Sequence, residues 1–265
     1  MKNETAKLMT LIRERAPLVL HITNSVTVND CACAAICAGG SPVMSGSAED
    51  AAELAALAGA VVLNIGTVSD DSIEVMIKAG KAANVSGRTV ILDPVGAGAT
   101  RYRTDAALRI LDEVNVSIIK GNAGEIGTLA GAGGRMKGVD SEGVDGDPVE
   151  ACVSLSKSIG AVVVMTGPVD IVTDGTRIAV INNGHAMMGR VSGTGCMVSS
   201  VIGCYASCTD DAFTAAAAAL AVFGIAGSKA AKRTKGPGSF LTDLKDELSS
   251  LSVNEVIPLA NIRLM

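Results

Sequence analysis

Five short apolar runs, each ending abruptly in polar residues or glycine, constrain this chain more than any other feature. They are PLVLHIT at 17–23, AVVLNIG at 60–66, RTVILDP at 88–94, VSIIKGN at 116–122 and AVVVMTG at 161–167. The apolar residues are consecutive rather than alternating, so both faces of each strand must be covered. Helical stretches fall between them, at 27–38 and at 70–84. Covered strands joined through helices predict right-handed crossovers onto a mostly parallel sheet. The expectation is one three-layer α/β/α domain over residues 1–265. The segments 169–174 and 177–182 read as a hairpin around Gly175. The last third reads as helical: one helix over 196–207, and a second that Thr209 caps, with Asp210 and Asp211 in its first turn and Lys229, Lys232 and Arg233 in its last. GPGS at 236–239 then precedes a final helix.

Composition narrows the function classes. Aromatics are 2% of the chain and Trp is absent, so a core this large must be built from Ala, Val, Ile, Leu and Met. The net charge of −5, with no basic block, argues against a nucleic-acid surface. The charged N-terminal stretch at 1–17 reads as an amphipathic helix without the apolar centre of a signal peptide. The Ala-dominated stretch at 213–227 is too short and too weakly apolar for a membrane span. A cytoplasmic protein is expected. Seven cysteines, an odd number, are expected to be free thiols. Cys31, Cys33 and Cys37 on one helix, and Cys204 and Cys208 on another, read as small packing residues rather than metal ligands.

In open α/β sheets, ligands gather at the carboxyl ends of the strands. Those ends here carry His21 to Asn24, Asn64 to Thr67, Asp93 to Gly96, Lys120 to Asn122, and Thr166 with Gly167. Gly193-Thr194-Gly195-Cys196 stands just before an apolar helix, where backbone N–H groups and the helix dipole favour an anion; an ordinary tight turn is the plainer alternative. Asp93 and Glu125 follow neighbouring strand tips and suit Mg²⁺ held through water, while Asp93 can equally close a turn and Asn122 can cap the helix at 123–130 with Glu125 completing the box. Thr166 offers a hydroxyl to a phosphate or to local backbone. A buried Lys120 calls for an anion. His21 and His185 pair with no nucleophile and read as satisfied structural residues.

Seven blocks in order carry a resemblance: ITNSV at 22–26, GGSPVM at 39–44, NIGT at 64–67, DPVGAGAT at 93–100, KGNAGEI at 120–126, TG at 166–167 and GTGC at 193–196. Together, over about residues 5–250, they resemble the hydroxyethylthiazole kinase family of thiamine salvage. The resemblance implies a ribokinase-like fold, ATP and Mg²⁺. It implies phosphorylation of the alcohol of 4-methyl-5-(2-hydroxyethyl)thiazole. Residue by residue, it implies that Asn24, Met44, Gly66 and Gly193 contact the thiazole, and that Lys120, Asn122 and Thr166 contact ATP. Gly193, Thr194 and Gly195 would form the anion hole, with Asp93 and Glu125 near the metal. Cys196 stands where related kinases have an Asp base and is the expected catalytic residue in that role, the plainer alternative being a small residue that fits against the substrate alcohol. Lys120 departs from the Arg common in the family, and lacks its bidentate fork. A helix N-terminus lowers a thiol's pKa and a bound triphosphate raises it, so the state of Cys196 stays open. An ATP-using lyase of the same fold class would carry Asp at 196, and a non-catalytic nucleotide sensor would not need Asp93 and Glu125. Residues 24–44 leave no room for the β-sheet lid of ribokinase relatives. The resemblance therefore implies a homotrimer, with Met44 and Asn24 of one chain facing Cys196 of the next.

Overall fold

The computed structural model describes residues 1–131, 133–137, 140–144 and 146–265. In chain order the elements are α1 (Lys2–Arg15), β1 (Leu18–Ile22), α2 (Val28–Ala38), β2 (Ser41–Met44), α3 (Ala48–Leu57), β3 (Ala60–Asn64), α4 (Asp70–Val85), β4 (Thr89–Asp93) and α5 (Arg101–Glu113). β5 (Ile118–Asn122), α6 (Ala123–Leu129), β6 (Gly134–Lys137), β7 (Asp140–Val144), α7 (Pro148–Ile159), β8 (Val162–Thr166), β9 (Asp170–Thr173) and β10 (Ile178–Ile181) follow. The chain continues through α8 (Thr194–Ala206), α9 (Ala212–Ala231), α10 (Pro237–Ser250), α11 (Val253–Leu259) and β11 (Ile262–Leu264).

Nine strands form one sheet in the order β11-β10-β9-β8-β5-β4-β3-β1-β2. From β2 to β8 all neighbours are parallel, and β9, β10 and β11 are added antiparallel. β6 and β7 pair antiparallel in a separate two-stranded sheet, which the sequence reading did not anticipate. Side chains alternate between two cores. Val62, Ile91 and Val164 point toward α1, α2, α8 and α9, while Leu63, Leu92 and Val163 point toward α3, α4, α5 and α7. This is why the strands read as continuous apolar runs, and it gives the three-layer α/β/α architecture.

The aromatic-poor core is packed through small residues. Ala215 to Ala219 of α9 are fully buried, and a Cβ on Gly203 of α8 would lie 2.8 Å from Val19 Cγ1. α8 can therefore press against β1, which carries its N-terminus over the strand tips. The order reverses around β1: α2 leads to β2 on one side and α3 leads back to β3 on the other. The crevice outside the tips of β1 and β3 is thus the switch point where such sheets bind ligands.

Some local expectations need correction. Asp211, not Thr209, caps α9: its side chain accepts from the Thr214 N–H at 3.2 Å, and Thr209 Oγ1 instead accepts from Asp211 N. The apolar stretch is not too short to span a membrane, since α9 runs for 20 residues; what accounts for its composition is burial in the core. α10 is not final, because α11 and β11 follow it. All seven cysteines are free, and no group of three or more His, Cys, Asp or Glu is arranged to hold a metal among the described residues.

Candidate active site

The tips of β1, β3, β4 and β5 meet the start of α8 in a buried polar network. Asn24 Nδ2 donates to Asn64 Oδ1 at 2.9 Å, and Asn64 Nδ2 donates to Asp93 Oδ2 at 2.9 Å. Ser199 Oγ reaches the same oxygen at 2.7 Å. Lys120 Nζ binds Asp93 Oδ1 at 2.9 Å and the Gly195 carbonyl at 3.1 Å. The anion that a buried Lys120 requires is therefore present within the chain. Burial pulls the ammonium down, but the Asp93 and Glu125 carboxylates outweigh it, so its pKa is raised.

Asn24 Nδ2 also reaches Cys196 Sγ at 3.4 Å within the same chain. This corrects the expectation that Asn24 faces the Cys196 of a neighbouring subunit. The Asn24 amide oxygen is taken by Thr27 N and Oγ1, both at 3.0 Å, so Asn24 serves as a strut between α2 and Cys196. Burial and Asp93 push the Cys196 thiol up, outweighing Lys120, Thr27 and Asn64. In the free chain desolvation thus favours the thiol over the thiolate.

Gly193 caps α8 with φ of 94°, a conformation that favours glycine, and a Cβ there would lie 2.8 Å from Thr27 Cγ2. Both facts require glycine at the start of the proposed anion hole. Thr194 Oγ1 ties this turn to the Met188 carbonyl at 2.9 Å. Met44 ends edge strand β2 beside His21, half-buried, and shares no hydrogen bond with the network among the described residues.

Glu125 sits in the first turn of α6. Its Oε2 accepts from Asn122 N at 2.7 Å and the Asn122 side chain accepts from Glu125 N at 2.9 Å, the expected capping box. Its Oε1 accepts from Gly96 N at 2.8 Å. Burial and the Asp93 charge, opposed by Lys120 and these two N–H groups, push its carboxyl up to about 7. The two carboxylates differ as prospective metal ligands. Asp93 has both oxygens engaged by Lys120, Asn64 and Ser199, which does not fit direct coordination. Glu125 keeps one N–H on each oxygen, and Lys120 compensates its burial only in part, which fits a hydrated Mg²⁺ bound by few protein ligands.

On the β8 side the same turn opens into a cavity of about 590 Å³. Thr166, Asp170, Asn183, His185, Thr194 and Gly195 line its polar part, and Val198, Leu220 and Phe223 its apolar part. Thr166 Oγ1 donates to the Gly121 carbonyl at 3.3 Å. His185 Nδ1 accepts from Met187 N at 3.1 Å and caps a 3₁₀ turn over Ala186–Arg190, the structural role expected of it. His21 is only half satisfied: Nδ1 meets the Val19 carbonyl at 3.1 Å, Nε2 has no partner among the described residues, and burial lowers its pKa to about 4. Asn64, Ser199 and Asp170 are site residues that sequence reasoning missed as such. Asn64 was marked by its place at a strand end, whereas Ser199 and Asp170 carried no signal.

A profile of the hydroxyethylthiazole kinase family matches residues 9–254. A hydroxyethylthiazole kinase of Methanocella arvoryzae is 54% identical over 249 residues, covering 94% of each chain. The solved structure of the hydroxyethylthiazole kinase protein from Pyrococcus horikoshii OT3 superposes with a TM-score of 0.91 at 38% identity, covering 99% of each chain. A ribokinase-like superfamily protein of Enterococcus faecalis V583 is 11% identical with a TM-score of 0.65, over 96% of this chain and 95% of the other, a likeness of fold. Sequence and fold agree, and this chain belongs to the hydroxyethylthiazole kinase family.

Proposed function

We propose that this chain transfers the γ-phosphoryl group of ATP to the primary alcohol of 4-methyl-5-(2-hydroxyethyl)thiazole. The observation that carries the reading is the Gly193–Gly195 turn, which borders the Asn24–Cys196 contact on one side and the cavity on the other. An acceptor and a nucleotide bound in these two places meet over one helix N-terminus, where developing charge on the transferred group is stabilised. Lys120, held by Asp93 beneath Gly195, adds a fixed positive charge there. Thr166 and Asn122 lie at the tips of β8 and β5 on the phosphate side. Gly66, Gly193 and Met44 contact the thiazole, with Asn24 supporting Cys196 from below. Glu125 would hold Mg²⁺, with Asp93 shaping the field around it, and that ion would supply charge neutralisation at the phosphates. Cys196 meets the alcohol as a neutral thiol; the loose transition state of phosphoryl transfer asks little of a base.

We further propose a homotrimer. Residues 23–40 hold α2 and no sheet that covers the site. Val26, two residues from Asn24, is 69% exposed, and Ile36 in the last turn of α2 is 60% exposed, apolar side chains that suit contact with a second copy. In this assembly Met44 of one chain faces Cys196 of the next. We place the enzyme in the cytoplasm, supported by the burial of α9 and the seven free cysteines. Protein, Mg-ATP and the thiazole alcohol are expected to give ADP and the thiazole phosphate by mass spectrometry; ADP formation with no phosphorylated thiazole defeats the reading. Light scattering is expected to give three chains, and a fully active monomer defeats the assembly.

A further inference from the structure

Arg103 lies in the first turn of α5, outside every motif that marks the site. Its Nη1 donates to the carbonyls of Ile65 at 3.0 Å and Val95 at 2.9 Å, and its Nη2 donates to the carbonyl of Gly66 at 2.9 Å. These three carbonyls belong to the loops that leave β3 and β4, where the chain turns out of the sheet and the ladder no longer supplies donors. A planar guanidinium offers several N–H groups in one fork and can satisfy all three; a single ammonium point charge cannot reproduce that plane.

The Gly66 peptide is gripped from both ends. Its N–H donates to Asn64 Oδ1 at 2.9 Å, within the buried network. On its inner side, a Cβ at Gly66 would lie 2.8 Å from Asn24 Cβ, so the loop backbone rests directly on the residue that touches Cys196. The second loop is bound by the same guanidinium. Val95 shares Nη1 with Ile65, the next amide, Gly96 N, donates to Glu125 Oε1 at 2.8 Å, and a Cβ on Gly96 would meet Arg103 Cδ at 2.9 Å. Thr166, Asp170 and Thr194, which line the cavity on the far side of α8's N-terminus, make none of their hydrogen bonds to Arg103.

We propose that Arg103 is a positioning residue that fixes the 64–67 loop as the floor of the acceptor pocket, so that its loss is felt more strongly in acceptor binding than in nucleotide binding, which it reaches only through the Val95–Gly96 turn. The inference rests on the functional reading above. Displacements near 1 Å at a reacting centre are enough to cost about 10²-fold, and the loop has no other side-chain donor on these carbonyls among the described residues.

The test compares steady-state kinetics of the wild type, Arg103→Lys and Arg103→Gln with those of Ile110→Ala, a truncation in the buried face of the same helix. Melting temperatures are measured for all four proteins. Both Arg103 variants are expected to raise the KM for the thiazole alcohol about tenfold or more, and the KM for Mg-ATP by no more than about threefold. Ile110→Ala is expected to lower the melting temperature with neither KM moved. Unchanged acceptor KM in the folded Arg103 variants overturns the inference. So does a rise in both KM values alike, matched by Ile110→Ala at equal loss of stability. A wild type that does not phosphorylate the thiazole alcohol overturns the functional reading itself, and is seen in the first arm alone.

Discussion

The two halves of the site are built on opposite terms. On the side of β1, β3 and β4, polar groups satisfy one another: Asn24, Asn64, Asp93, Lys120 and Ser199 form one connected set of hydrogen bonds of 2.7–2.9 Å. On the β8 side, Asp170 is 9% exposed and lines the cavity with one recorded bond, Oδ1 accepting from Gly167 N at 2.9 Å. Burial pushes its carboxyl up to about 7, against the pull of that N–H and of Lys120. The first half is organised before any ligand arrives, so its interactions need no reorganisation during the reaction. The second retains polar groups under electrostatic strain, and gains most from what enters it.

The largest expected break in this contrast is Lys120→Met. It removes the cation beside a fully buried Asp93, and stranding one partner of such a pair costs about 3–5 kcal/mol. Denaturant unfolding is the measurement, with Lys120→Arg as the partner-retaining control. A variant as stable as the wild type would mean that the network is not the rigid half. Next comes Cys196→Ala. A neutral thiol is a poor base, so kcat should fall by no more than about 10²-fold, the low end of general-base help. Cys196→Asp should be at least as active as the Ala variant. A loss near 10⁴-fold in the Ala protein would restore a full base role.

The smallest effect sharpens the other side. Asp170 holds its proton to higher pH when folded than when unfolded, so between about pH 4 and 7 the native state binds more protons. Stability therefore falls as pH rises through that window. Asp170→Asn should remove about 1–2 kcal/mol of this decline, after allowance for the cavity's access to water. Unfolding curves at pH 5 and 8 check it. Glu125 contributes in the same direction, its carboxyl also being raised to about 7, so the difference between variant and wild type is the quantity to read. Parallel pH profiles in the two proteins would place Asp170 with the satisfied groups.

Legibility in the sequence followed the range of the interactions. The strands were readable because burial on both faces leaves an uninterrupted apolar run, and the capping box of Asn122 and Glu125 was readable because it closes over three residues. α5 was not located: RYRTDAALRILDE carries charge on most of its surface and buries only Ala106, Ala107 and Ile110. β11 is three residues long, with two of them exposed, and has no pattern to detect. Asp93 and Lys120 could each be singled out, but not as a pair, because they are 27 residues apart and meet only when β4 lies beside β5. Ser199 and Arg103 bind a distant carboxylate and distant carbonyls through geometry that leaves no trace in local sequence. The expectation for Asn24 failed for a different reason: it followed from the family resemblance and the missing lid rather than from any contact, and the contact lies within one chain.

The alanine-built packing of α9 has a consequence for how this protein can be probed and how it can vary. Ala215 to Ala219 are fully buried, so an alanine scan passes over these five positions without a reading, and truncation there has nothing to remove. The informative substitutions are enlargements. Overpacking of a tight core costs about 1–3 kcal/mol and moves backbone. Here the backbone to move is α8, whose Gly203 already lies against β1 and whose first turn borders both halves of the site. Neutral drift at these five positions is thus confined to a narrow set of small side chains, and a single added methyl group there is transmitted through the packed helix α8 to the chemistry.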